Sequence, residues 1–98
     1  MAFKIFVTEL ANEDLATLVR FIARDNPQAA ERFGLALLNK LKLLQDHPHL
    51  GRIVPERADS NLREIVHQPY RIVYRVRQQE QVIEVLRFWH SARDEPGK

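Results

Sequence analysis

Three arginines share one predicted strand and could together bind an anion. The stretch Pro69–Arg77, PYRIVYRVR, places Arg71, Arg75 and Arg77 among apolar residues at a spacing of two or four. Residues two apart in a strand lie on the same face of a sheet, so the arginines face one way and Tyr70 and its apolar partners face the core. Guanidinium groups pair bidentately with phosphate and carboxylate, which suits this face to an anionic partner. The same composition would also suit a basic surface that only keeps the protein soluble.

A metal-free RNA-cleaving site could be assembled from residues of the same half of the chain. Such chemistry needs a base to take the 2′-hydroxyl proton, cations to hold the phosphate and an acid for the leaving oxygen. Each candidate also has a structural interpretation, since a glutamate can pair with an arginine across strands and a histidine at a strand end can serve as a hydrogen-bonded structural residue. The candidates are Arg71 and Arg87 as phosphate clamps, Glu56 or Glu64 as the base and His90 as the acid.

The second predicted helix, at about residues 28–45, carries a wider apolar arc than one core contact requires. Leu35, Leu38 and Leu43 lie beside its main apolar stripe. Either both stripes are buried between the sheet and the first helix, or the extra leucines contact a partner protein. We expect at least one of the three at an interface, because two helices over a four-stranded sheet cannot bury every side of an apolar helix. The main stripe consists of Ala30, Phe33, Leu37, Leu41 and Leu44.

Length and composition exclude several classes of protein. With 98 residues and no Gly/Ser-rich linker, residues 1–98 are predicted to form a single domain. No apolar run approaches the roughly 20 residues that cross a bilayer, and the first residues do not read as a signal peptide, so we expect a cytoplasmic protein that does not bind membranes. The absence of cysteine excludes disulfides, Cys-ligated zinc and a thiol nucleophile. The histidines form at most a weak metal site, and we predict neither a metal nor a cofactor.

The net charge is only +2, but the basic residues of the second half are all of one kind. Residues 52–93 hold eight basic side chains, all arginine, against five carboxylates. Because guanidinium groups pair with anions in a fixed geometry, this surplus favours an anionic partner more than lysines would.

The order of the periodic segments predicts an α+β fold of β-α-α-β-β-β order. The first helix is capped by Thr8 or Asn12 and ends before Pro27, and a loop rich in turn formers occupies residues 46–61. Two adjacent helices followed by a meander indicate a helical hairpin packed on one face of an antiparallel sheet. Pro69 is expected at a bulge or an edge, since it cannot donate to a strand ladder. The predicted strands are residues 3–8, 62–67, 70–77 and 82–89.

The register of the last strand decides which of its side chains join the arginines. Arg87 and Trp89 share one parity, and register is not fixed by the sequence. We favour Arg87 beside Arg71, because the residues of the other parity include better core residues, and we expect Trp89 to be half-buried. The other parity comprises Glu84, Leu86 and Phe88.

Four segments together resemble the ParE/RelE toxin superfamily, the toxin halves of type II toxin-antitoxin modules. The paired C-terminal segments LREIVHQPYRIVYRV and IEVLRFWHSARD look like the superfamily signature, and DLATLVRFIARDNPQAAERF and HPHLGRIVPE are similar to the helical hairpin and following loop of its ParE branch. The resemblance covers about residues 3–94. It implies the fold predicted above, an antitoxin partner whose C-terminal segment wraps the toxin, and an essential cellular target.

The resemblance implies different targets for the two branches. RelE-like members cleave mRNA in the ribosome, and ParE-like members inhibit DNA gyrase. Arg71 lies where RelE-like nucleases carry a strand arginine, and His90 lies where some carry a C-terminal Tyr or His. The lysine-rich segment of well-known RelE enzymes has no counterpart, since there is no lysine between Lys42 and Lys98.

The motifs LRE, PYRIVYRV and HSARD look closer to those of the ParE branch. We therefore predict a toxin that binds a cognate antitoxin and inhibits DNA gyrase by protein-protein contact. The alternative is a ribosome-dependent mRNA endoribonuclease, for which the ribosome and mRNA are the partners. A homodimer or a toxin-antitoxin hetero-oligomer is compatible with either. The residues predicted to bind the antitoxin or the target are Leu35, Leu38, Leu43, Arg71, Arg75, Arg77 and Trp89.

Overall fold

The computed structural model describes residues 2–55, 59–67 and 70–90, with the side chains of His67 and His90 outside the description. Three sequence predictions therefore lie outside the described residues: Glu56 as a base, Pro69 at a bulge or edge, and the His90 side chain as an acid.

A helical hairpin follows the first strand, and each of its helices begins at a capping side chain. Helix α1 spans Glu9–Asp25 and helix α2 spans Pro27–Asp46. The Thr8 hydroxyl accepts a hydrogen bond from the Ala11 backbone N–H, and the Asn26 side chain caps α2 in the same way. Of the two caps predicted for the first helix, Thr8 is the one used.

A five-stranded mixed sheet completes the fold, in the order β1-β5-β4-β3-β2. Strand β1 pairs parallel with β5, and all the other pairs are antiparallel. The predicted α+β architecture is confirmed, with a parallel edge strand where the sequence predicted a purely antiparallel sheet. The strands are β1 (Lys4–Val7), β2 (Arg52–Ile53), β3 (Leu62–His67), β4 (Tyr70–Arg77) and β5 (Val82–His90).

The short strand β2 lies inside the segment predicted to be a loop. Arg52 pairs with Glu64 and Ile53 pairs with Arg63, so β2 covers only the first half of the outer edge of β3. A two-residue strand shows no alternation of apolar and polar residues, which is why the periodicity did not predict it.

The core lies between the helical hairpin and one face of the sheet. Alternate residues of β4 face the helices, as the alternation predicted, and the rings of Phe33 and Tyr70 meet with centroids 4.7 Å apart. Within the described ranges, no helix is long and apolar enough to cross a membrane. The central cluster consists of Ala11, Leu37, Leu44, Ile65, Ile72, Tyr74, Val76, Ile83, Val85 and Phe88.

A β-bulge at Leu86 changes which face the start of β5 presents. Val73 lies opposite Arg87, but the next residue, Tyr74, lies opposite Val85, so Leu86 has no partner on β4. Beyond the bulge the favoured register holds, with Arg87 on the same face as Arg71. Before the bulge, alternate residues of β5 face the opposite way from the prediction. Glu84 lies opposite Arg75, on the face that carries Arg71, instead of joining Phe88 in the core.

The Tyr74 hydroxyl ties the turn after α2 to the centre of the sheet. This buried group donates to the Pro48 carbonyl at 2.9 Å and accepts from the Gly51 N–H at 2.8 Å. Burial raises the pKa of Tyr74 above its usual value, against the opposing effect of the Gly51 hydrogen bond.

We expect Tyr74→Phe to lower the free energy of unfolding by about 2 kcal/mol. The substitution keeps the ring but leaves the buried Gly51 N–H without its acceptor, and an unsatisfied buried donor costs roughly 1–3 kcal/mol. Urea denaturation of the two proteins measures the difference. An unchanged midpoint would mean that solvent replaces the hydroxyl without cost.

Candidate functional site

The face of the sheet opposite the helices carries the predicted arginines and is called the arginine face below. The register places Arg71 opposite Trp89 and Val73 opposite Arg87. Four cationic side chains and one large aromatic ring thus share a single surface. The arginine face consists of Arg71, Val73, Arg75, Arg77, Arg87 and Trp89, together with Glu64 on β3 and Glu84 on β5.

Glu64 lies between two arginines at the centre of this surface. The Arg52 Nε donates to Glu64 Oε2 at 2.6 Å, and the Arg71 Nη1 donates to Glu64 Oε1 at 3.1 Å. The Glu64 side chain is 1% exposed, whereas those of Arg71 and Arg52 are 15% and 63% exposed. Each carboxylate oxygen therefore already has a cationic donor, and the group is shielded from solvent.

Trp89 lies between two guanidinium groups. The Cζ atoms of Arg71 and Arg87 lie 5.0 and 5.6 Å from the centroid of its ring, within the range of cation-π attraction. Arg87 also forms a bidentate pair with Asp14 on α1, at 2.7 and 2.8 Å, and this raises its pKa. A continuous series of contacts thus runs across the sheet from Arg52 to α1.

The two remaining arginines of the face also pair with carboxylates of this chain. Arg75 donates to Asp59 at 2.7 Å, and Arg77 donates to Glu84 at 3.1 Å. The backbone N–H of Asn61 and the Arg75 guanidinium hold the pKa of Asp59 below its usual value. The arginine face is therefore largely neutralised from within, so an external carboxylate must compete with these pairs.

The described residues bring together only part of the predicted nuclease chemistry. Arg71, Glu64 and Arg87 do lie on one surface, in contact either directly or through Trp89. A general base must reach the proton that it removes, and Glu64 is buried beneath its own ion pairs. In the described ranges, no group of three or more His, Asp or Glu side chains is placed to hold a metal ion.

The three extra leucines of α2 are exposed, so the interpretation in which both stripes are buried is wrong. Leu35, Leu38 and Leu43 are 56%, 50% and 42% exposed. Leu38 lines a cleft of about 440 Å³ beside β1, and Leu43 lines another of about 420 Å³ beside the edge of β3.

Other exposed apolar residues were missed by sequence reasoning. Leu50 and Ile53 lie in the segment predicted to be a loop, and Val66 lies on β3. An apolar residue directly before Gly51, in a stretch rich in turn formers, is the only signal that could have identified Leu50. The remaining exposed large apolar residues in the described part of the chain are Phe6, Leu10 and Phe21.

Solved structures of toxin-antitoxin proteins share this fold at low sequence identity. A chain of the chromosomal ParDE toxin-antitoxin system from P. aeruginosa is 20% identical, with a TM-score of 0.70 over 91% of this chain and 96% of that one. The isolated RelE toxin from E. coli is 20% identical, with a TM-score of 0.68 over 96% and 89%. The RelBE2 toxin-antitoxin complex from Mycobacterium tuberculosis contains a chain that is 19% identical, with a TM-score of 0.63 over 92% and 99%.

Sequence comparison gives the family directly. None of the curated proteins compared matches the chain at a significant level. The family model for the ParE toxin of the type II toxin-antitoxin system parDE matches residues 5–95, which is nearly the whole chain. The chain therefore belongs to the ParE toxin family of type II toxin-antitoxin systems.

Proposed function

We propose that this chain is a cytoplasmic toxin that inhibits DNA gyrase by protein-protein contact and is neutralised by a cognate antitoxin. The observation that carries this proposal is the burial and ion pairing of Glu64, the candidate base that lies within the described residues. Its carboxylate is buried between Arg52 and Arg71 and has no access to a substrate hydroxyl. A sheet face whose arginines are paired with carboxylates and a helix with exposed leucines suit protein binding better than RNA cleavage.

Two activities measured side by side on purified protein test the choice of target. We expect the protein to inhibit supercoiling by gyrase and to leave mRNA intact on translating ribosomes. Induction in cells should then trigger the DNA-damage response and filamentation before protein synthesis falls. Immediate translation arrest with cleaved mRNA and no DNA-damage response would instead identify a ribosome-dependent endoribonuclease.

Arg71→Ala separates the two mechanisms further. In a nuclease this arginine would stabilise charge that develops on the scissile phosphate, and its loss would lower the cleavage rate about a hundredfold. In a gyrase inhibitor we expect Arg71→Ala to weaken association with the antitoxin or the target, with no cleavage to lose. Arg24→Ala, at an exposed arginine in the last turn of α1, is the matched control. Thermal melting of both variants shows whether any loss reflects unfolding.

The antitoxin contact is tested at the exposed leucines of α2. We expect Leu35→Glu to reduce copurification with the small protein encoded beside this gene, because it places a charge in an apolar interface. The isolated fold should keep its stability, since Leu35 is more than half exposed. Leu37→Glu is the contrasting control, because Leu37 is buried in the core and its replacement should unfold the protein. Undiminished copurification of Leu35→Glu would remove this residue from the interface.

A further inference from the structure

The outer edge of β3 is only half covered in the described part of the chain. Leu62 accepts a hydrogen bond at its carbonyl from the Val54 N–H, and Glu64 pairs with β2. Backbone groups of alternate residues point to the same side of a strand, so the N–H and C=O of Val66 also point outward, beyond the end of β2. This edge offers one donor and one acceptor to an added strand.

An apolar cleft adjoins this open edge. It has a volume of about 420 Å³ and runs between the second half of α2 and β3. Leu43, Leu50 and Val66 line it, and all three are more than 40% exposed. A side chain from an added strand could bury itself here without any rearrangement of the core.

The segment that presents Leu50 is held rigidly. Tyr74 binds the backbone at Pro48 and Gly51, and the Arg63 guanidinium donates to the Gly51 carbonyl at 3.0 Å. Leu50 also donates its own N–H to the His47 carbonyl. An exposed apolar side chain on so constrained a turn loses little conformational entropy on binding, which favours a docking surface.

The rim of the cleft is cationic. Lys40 and Arg52 both line it, and the one carboxylate there, Glu64, is shared by Arg52 with Arg71. Two cations, Lys40 and Arg52, against this one carboxylate favour acidic residues in whatever binds. A second copy of the chain would bring the same cations to the contact.

We propose that the open edge of β3 binds an extended segment of a partner protein, in line with β2, whose apolar residues alternate with carboxylates. Its backbone pairs with Val66, its apolar side chains enter the cleft beside Leu43 and Leu50, and its carboxylates contact Lys40 and Arg52. This inference rests on the proposed function, because it assigns a surface to the protein partner of a toxin.

The probe is a pool of peptides selected from a random display library on the immobilised full chain. We expect the enriched peptides to alternate apolar and acidic residues. Val66→Pro should weaken their binding about tenfold or more, because it removes the outward N–H while costing no hydrogen bond to β4. Val66→Thr, which keeps that N–H, should bind as the wild type does.

Charge variants on one helix give a second test that does not depend on the strand. Lys40→Glu should weaken binding of the pool about tenfold, whereas Lys42→Glu, which lies beside the other cleft, should leave it unchanged. Leu43→Glu should weaken binding of the pool in the same way, because Leu43 lines the cleft.

Three results would overturn the inference. They are the absence of an enriched pool, a pool indifferent to Val66→Pro and Lys40→Glu, and self-association of the free chain that Val66→Pro abolishes. None of them bears on gyrase inhibition or on copurification with the antitoxin, so failure here is distinct from failure of the proposed function.

Discussion

Replacing Gly51 by alanine is expected to destabilise the protein by about 3 kcal/mol, or roughly 12 °C or more in Tm. A Cβ atom at this position would lie 2.6 Å from the Glu64 carbonyl oxygen and 2.7 Å from the Tyr74 hydroxyl oxygen. Neither neighbour can yield easily, since one is strand backbone and the other is a buried ring held by two hydrogen bonds. Thermal and urea unfolding measure the effect.

Gly34 supplies the matched control for this substitution. It lies in α2, and apart from its chain neighbours and the backbone of its own helix, no described atom lies within 4 Å of a Cβ added there. Gly34→Ala should therefore stabilise the protein by about 0.5–1 kcal/mol through helix propensity alone. Equal effects at the two glycines would contradict the close packing described around Gly51. Gly51→Ala should also disorder the turn that carries Leu50. It should therefore weaken peptide binding at the β3 edge.

Glu64→Gln is the second substitution with a large expected effect, a destabilisation of about 3 kcal/mol. The change is nearly isosteric, but it removes the only carboxylate between the Arg52 and Arg71 guanidinium groups in the described contacts. Arg71 is largely buried, so its charge is poorly solvated once the carboxylate is gone. Urea denaturation of the variant measures this loss.

Glu84→Gln makes the same chemical change at a more exposed pair. Arg77, its partner, has a side chain that is 47% exposed, and we expect a loss of only about 0.5 kcal/mol. The two variants together separate burial from the chemistry of the substitution. If Glu64→Gln kept wild-type stability but abolished an RNA-cleaving activity, Glu64 would be a catalytic base and the proposed function would be wrong.

The sequence by itself determined the order of the elements, apart from the two-residue strand β2, and the inward face of the helices and of β4. The spacing of Leu15, Leu18 and Ile22 and the alternation along β4 are local properties of the chain, and each follows from the geometry of one element. The helix ends also follow from local sequence. The side chains of Thr8 and Asn26 accept hydrogen bonds from backbone N–H groups three residues later, and the proline after Asn26 has no N–H to donate. The family resemblance likewise rests on the order and spacing of segments along the chain.

Only the tertiary structure decided what the arginines contact. The partner of Arg87 is Asp14, 73 residues earlier in the chain, and Glu64 is shared with Arg52 on a strand too short to be predicted. A bulge at Leu86 placed Glu84 on the arginine face, against the strict alternation of the last strand. Register and ion pairing depend on contacts between distant segments, and a pattern with a period of two residues carries no information about them. The same reason explains the exposed leucines: their arc was visible in the sequence, but which side of α2 the sheet leaves open is set by how the helix packs.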